Sequence, residues 1–228
     1  MPGRSRSTET IAVTIEATPK KAFASAIDWP GWSRSGKTEA LALEALVGAA
    51  ARYAVVAREA GETFPPEAGD PDRYEIVERT AGGSGTEFGV PSAITDLDHR
   101  PVTAEEAARL ARFVEAAWTV FGRVAAGAPA ELRKGPRGGG RDRDKMVGHV
   151  VEADGAYARE IGLRGGQPDP ADRAAVDAMR AAMLEVLRQP SDGSPLAGRR
   201  WTTRYAARRI AWHALDHAWE MEERSNPA

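Results

Sequence analysis

An α+β fold is predicted: a small ββαββ unit over residues 8–92, then an all-α four-helix bundle over residues 103–225. Three features of the chain predict it. Apolar residues alternate with period two near the start, as strands facing one core require. From Thr103 onward the apolar spacing changes to three and four, with helix start and stop residues between the runs. Between the two textures lies Pro91 to Val102, which reads as a linker.

Ile11-Ala-Val-Thr-Ile15 and Lys21-Ala-Phe-Ala-Ser-Ala-Ile27 form the first strand pair, ending in the turn-rich Asp28-Trp-Pro-Gly-Trp32. Thr38 has the position of a helix N-cap, and the Ala- and Leu-rich stretch Glu39 to Ala60 stops at Gly61. Two β-like runs, Tyr74 to Arg79 and Thr86 to Val90, flank Ala81-Gly-Gly-Ser-Gly85, a hairpin signal. Thr103-Ala-Glu-Glu106 is a capping box for a first bundle helix reaching about Gly127. The Gly- and Arg-rich Arg133 to Arg141 precedes a second helix, about Asp142 to Ile161. Asp169-Pro170 starts a third, whose Val176, Met179, Met183 and Leu187 stripe ends near Pro190, and a fourth runs from about Trp201 to Arg224. Short connections make neighbouring helices antiparallel.

With 228 residues, 42% of them hydrophobic, the chain can bury a substantial core. A formal charge of −2 gives no global attraction to nucleic acid or anionic membrane. Nothing near Met1 resembles a signal peptide and no stretch reaches the ~20 apolar residues of a membrane span, so a cytoplasmic location is expected. The absence of cysteine removes thiolate ligands and cysteine nucleophiles. Any metal must be held by His, Asp or Glu, which suits zinc or nickel.

Three of the four histidines fall where such an ion would need them. His213 and His217, four apart, lie one above the other on the fourth helix, sharing a face with Ala206, Ile210 and Met221. His149 lies on the second helix with Met146, Ala153 and Tyr157, again an inward stripe. A lone histidine on such a face reads as a core residue satisfied by hydrogen bonds. Three on two facing helices each need polar partners, which one ion would supply together. In an up-down-up-down bundle His149 sits ~10 Å and His213 ~18 Å past its helix start, a mismatch of ~8 Å. His99, in the linker, is expected to be solvated.

Gly148-His-Val-Val-Glu-Ala-Asp154 and Trp212-His-Ala-Leu-Asp-His217 resemble the two metal-binding stretches of the DinB/YfiT-like superfamily of metalloenzymes, over about residues 103–225. The resemblance implies a metal held by His149, His213 and His217. Characterised members include transferases and isomerases that use bacillithiol, mycothiol or glutathione, so a small-molecule substrate or low-molecular-weight thiol is implied as partner. Phe23 to Ala40 is similar to the strand, D-x-P-G turn, strand and T-x-x-E/A helix entry of HicB-like domains. That likeness implies a fold and not the antitoxin role.

Around a metal, Glu152 and Asp216 are candidates for a general base or for orienting an imidazole N–H. Arg137 and Arg141, in the glycine-rich loop, and Lys145 beyond it could receive an anionic substrate group. The loop has neither Walker-type spacing nor interleaved aromatics, so nucleic acid is not the expected ligand. Trp201, Tyr205, Trp212 and Trp219 form a second stripe on the fourth helix, expected to pack on the first helix, the N-terminal unit or a second subunit of a homodimer. The expected activity is a metal-dependent hydrolase or thiol S-transferase. The alternative is a non-catalytic stress or regulatory protein with a structural metal and a partner-binding HicB-like unit.

Overall fold

The computed structural model describes residues 10–134 and 140–225. Strands β1 (Ile11–Ala17), β2 (Ala22–Ala26), β3 (Ser33–Gly36) and β4 (Tyr74–Ala81) form one sheet in the order β3-β2-β1-β4. The β1–β2 hairpin is antiparallel, with Val13 opposite Ala26. β3 pairs antiparallel with β2. Helices α1 (Glu39–Gly48) and α2 (Ala50–Glu59) follow β3. The long helices are α4 (Ala104–Gly127), α5 (Arg143–Glu160), α6 (Arg173–Leu187) and α7 (Thr203–Ser225), preceded by the short α3 (Ser84–Phe88).

The mixed α/β class and the presence of four long helices match expectation, but α6 starts three residues later than the Asp169-Pro170 signal, with Asp172 as its N-cap while Asp169 caps the preceding turn, and the N-terminal unit differs from ββαββ in three places. β3 has no apolar residue to alternate, so the pattern missed it, although the HicB-like resemblance implies a strand there. The single helix expected over 39–60 is two, bent by 55° at Ala49. Thr86 to Val90 is not a strand. The Thr86 hydroxyl accepts the Gly83 N–H at 2.9 Å and donates to the buried Glu16 carboxylate, starting α3 instead. β4 therefore has no hairpin partner and pairs parallel with β1, the register slipping at Val13/Thr14.

The turn Asp28-Trp-Pro-Gly-Trp32 is the hub that joins sheet and helices. Trp32, 1% exposed, donates its Nε1–H to the Leu46 carbonyl at 3.1 Å and stacks on Tyr53, whose hydroxyl reaches the Pro30 carbonyl at 2.7 Å. Trp29 meets Phe113 of α4 edge-on. Gly31, at φ +90°, lies against the α7 backbone, where a Cβ would stand 3.0 Å from the Ala211 carbonyl carbon. Only glycine combines that φ with that approach. Trp212 and Trp219 of the expected aromatic stripe face the same unit: Trp212 packs edge-on against Phe23, and Trp219 lies under Arg34 and Arg52, whereas Trp201, ahead of α7, lies against Tyr157 of α5.

The segment Pro91 to Val102, expected as a linker, is a strap anchored at the buried Pro91, Thr95, Asp98 and Val102. Glu16 accepts the backbone N–H groups of Ser92 and Ala93, and Glu78 those of Asp96 and Leu97. Asp98, fully buried, takes a two-pronged bond from Arg208 of α7, at 2.8 Å to Nε and 2.7 Å to Nη2, plus the Thr95 N–H and hydroxyl. His99 is exposed, as expected. At the next residues the capping box closes: Thr103 Oγ1 accepts the Glu106 N–H at 3.2 Å and Glu106 accepts the Thr103 N–H at 2.9 Å. Among the described residues no single helix is long and apolar enough to cross a membrane.

Candidate metal centre

α5 and α7 bring His149, His213 and His217 together. One ring nitrogen from each lies within 4.8 Å of the other two, an arrangement that could hold a metal ion. Ring centroids are 5.1 Å apart for His149–His213, 4.9 Å for His149–His217 and 4.7 Å for His213–His217. The expected depth mismatch is narrowed by the later start of α7 at Thr203, and the helix starts need not be level. Imidazole nitrogens on one tetrahedral ion with ~2.1 Å bonds stand roughly 3.4 Å apart, so the rings need a small closing movement to share it.

The surroundings suit neutral, ligating imidazoles. Burial, reinforced by the charges of His217 and Arg209, holds the His213 ring well below the usual histidine range. His149 is half-buried, and burial followed by the Arg141 charge lowers it too. Both rings are therefore neutral at pH 7, the form that binds metal. His213 Nδ1 is buried without a partner among the described residues, a position a metal bond would satisfy. His217 Nδ1 lies 3.2 Å from Glu220 Oε2, whose second oxygen accepts from Arg224 Nη1 at 2.9 Å. Arg224 Nε in turn donates to the Arg133 carbonyl at 2.7 Å, tying the loop before α5 to the ring. In the tautomer whose Nδ1–H donates to Glu220, His217 would hold an ion through Nε2, the usual carboxylate–histidine arrangement.

The other expected site residues are spread out. Glu152 is exposed on α5, though its charge reaches His149. Asp216 faces Arg34 of β3, 3.5 Å away; partial removal from water raises its carboxyl and Arg34 opposes that rise. Arg141 is exposed and close enough to bear on His149 and His213, whereas Lys145 is exposed beside Asp142. Arg137 lies outside the described residues.

Sequence reasoning missed two groups. Glu220 follows His217 by three residues, a spacing that puts both on one helix face, and that signal was present. Arg209 precedes His213 by four and is equally a face-mate. It is 9% exposed, with its guanidinium carbon 5.1 Å from the Tyr157 ring centre and 4.8 Å from that of Trp212. Tyr157, expected on the His149 stripe, meets the His213 ring edge-on at 5.6 Å. No protein-family model, curated protein or solved structure matches the chain.

Proposed function

We propose that the chain is a metalloprotein in which His149, His213 and His217 hold one divalent ion, zinc or nickel, and that it acts as a metal-dependent hydrolase or low-molecular-weight-thiol transferase of the DinB-like kind. The observation that carries this reading is the convergence of three ring nitrogens within 4.8 Å, two of the rings held neutral by burial. No carboxylate joins that cluster among the described residues, which favours three protein ligands and an open position over a closed structural site. An ion of this kind supplies Lewis acidity, making a water or thiol nucleophilic near neutral pH. Glu220 keeps the His217 proton on Nδ1 and the ring in place, through Arg224 and the loop before α5. Tyr157 and Trp212 flank the His213 ring, and His149 is only half-buried.

The test is metal content of the purified protein beside its His213→Ala variant, with cobalt as a spectroscopic probe. One ion per chain, lost in the variant, with a cobalt spectrum that changes on adding thiol, is expected. Cobalt bound equally by both proteins would place the metal elsewhere. A cobalt spectrum indifferent to thiols would turn the reading to a structural metal in a partner-binding protein.

A further inference from the structure

Five arginines are buried or nearly so around the long helices, and four have obvious reasons to be there. Arg204 donates to Glu106 at 2.8 Å and to the Pro101 carbonyl at 2.9 Å. Arg208 is paired with Asp98 and the Ala93 carbonyl. Arg180 grips Asp154 through Nε at 3.0 Å and Nη2 at 2.8 Å. Arg224 joins Glu220 and the Arg133 carbonyl. Arg209 is as buried as Arg208 and, among the described residues, makes no hydrogen bond and no ion pair; its Nη1 is fully enclosed. Its contacts are the ring faces of Tyr157 and Trp212.

Two desolvated cation–π contacts are worth about 2 kcal/mol or somewhat more each, which does little more than offset an effective desolvation penalty of several kcal/mol for a buried guanidinium. An unpaired buried charge held only for packing is therefore a poor bargain, and a methionine or leucine would fill the space at less cost. The guanidinium carbon lies over the rings of Tyr157 and Trp212, and among the described residues none of its N–H groups, the donors that bind a carboxylate in two-pronged fashion, has a partner. One further buried side-chain nitrogen within one turn of α7 is unpartnered among the described residues and outside the metal cluster, Trp212 Nε1. Tyr157 in turn meets the His213 ring at 5.6 Å and lies against the half-buried Trp201 at 5.1 Å, so the Arg209 guanidinium stands one ring away from the histidine cluster.

We propose that Arg209 is the receptor for the carboxylate of a small organic acid, which docks against Tyr157 and Trp212 beside the three-histidine cluster. One carboxylate neutralises one buried guanidinium, whereas a phosphate dianion would leave net negative charge among these rings. The placement beside a metal rests on the reading of the histidines given above; the recognition of a carboxylate by Arg209 does not.

Benzoate, a planar aromatic carboxylate, is the probe, and inorganic phosphate the rival anion. Each is titrated by calorimetry and by tryptophan fluorescence into metal-free and zinc-treated full-length protein, for wild type, Arg209→Met, Arg209→Lys and His213→Ala. Saturable benzoate binding by wild type is expected, weakened at least tenfold in Arg209→Met and less in Arg209→Lys, in the metal-free protein as well. Arg209→Met, having lost an unpaired buried charge, is expected to melt no lower than wild type, which separates lost recognition from lost folding. Benzoate binding that survives unchanged in a folded Arg209→Met protein, or that is absent from wild type at ~10 mM, overturns the proposal. Phosphate binding in preference to benzoate overturns the carboxylate assignment. Failure of zinc to bind, with Arg209-dependent benzoate binding retained, would sink the metal reading and leave this inference standing.

Discussion

Replacing Glu220 with glutamine keeps the length and branching of the side chain and removes its charge, which isolates what the carboxylate does for His217. In the native site Oε2 lies 3.2 Å from His217 Nδ1 while Oε1 accepts from Arg224 Nη1 at 2.9 Å. The hydrogen bond from His217 and then burial set the balance for Glu220, and the net result is a carboxyl below its usual range, ionised at neutral pH. A glutamine can satisfy only one of these two donors with its single amide oxygen, and its NH2 group would face either Arg224 or the ring nitrogen. The His217 tautomer is then no longer fixed. Loss of such a supporting contact costs 10- to 100-fold in metal affinity, about 1.4–2.7 kcal/mol. A competition titration of zinc against a chromophoric chelator at pH 7.5 reads this directly. Glu222→Gln, which disturbs only the exposed pair with Arg52 at 2.7 Å, serves as control and should leave the affinity unchanged. Affinities for Glu220→Gln and wild type within a factor of two would refute the claim that Glu220 positions His217.

Three other outcomes are expected. Asp98→Ala leaves Arg208 in the interior with the Ala93 carbonyl as its hydrogen-bond partner, so it should cost about 3–5 kcal/mol in denaturant unfolding, whereas removing both charges as Asp98→Leu with Arg208→Met should recover part of the loss, the buried Thr95 N–H and hydroxyl still lacking Asp98; a single-variant loss under ~1 kcal/mol would mean that the strap is not anchored by this pair. Gly31→Ala combines a positive φ with a Cβ 3.0 Å from the Ala211 carbonyl carbon, so a loss of about 2–4 kcal/mol is expected, and one below ~1 kcal/mol would show that α7 yields easily there. In the metal-free protein His213 and His149 have folded pKa values below the unfolded histidine value of about 6.5, so below that pH the unfolded chain binds more protons and stability falls with acidification. Asp154, pushed up to about 6 by burial despite Arg180, acts in the opposite direction between pH 6 and 4, so the diagnostic is the difference between proteins: His213→Ala should lose less stability from pH 7 to 5.5 than wild type, and equal slopes would contradict it.

What was legible in the sequence follows the length scale of the interaction that fixes each element. The four long helices were readable because their caps and apolar spacing are local; Thr103 and Glu106 close the reciprocal hydrogen bonds their spacing announces. The histidine cluster was readable for the same reason on α7, where a four-residue spacing alone sets His213 above His217. Its union with His149 depended on which faces of two helices meet, and the apolar neighbours Met146 and Ile210 signalled that. β3 and α3 were illegible because distant partners decide them. Ser33–Gly36 has no pattern of its own and exists as a strand because β2 offers it an edge, while Thr86 turns into a helix because Glu16, seventy residues earlier, takes its hydroxyl.

The arginines extend this argument to function. From the sequence alone, Arg208 and Arg209 are adjacent members of a basic pair, and nothing local separates them. Projecting ~100° apart on the helix, one meets Asp98 in the strap and the other meets two aromatic rings beside the histidines. A protein that needed only a stable α7 could dispense with the second charge; the first is fixed by its carboxylate. Among the described residues, the member of this pair without a hydrogen-bond partner is thus the one placed beside the histidine cluster, where the proposed external carboxylate would supply one. Stability and function should accordingly part company at these neighbours: Arg208→Met should lower the melting temperature, and Arg209→Met should leave it level or raise it while removing anion binding. If both substitutions destabilise alike, Arg209 is a structural cation and the distinction drawn between the two side chains fails.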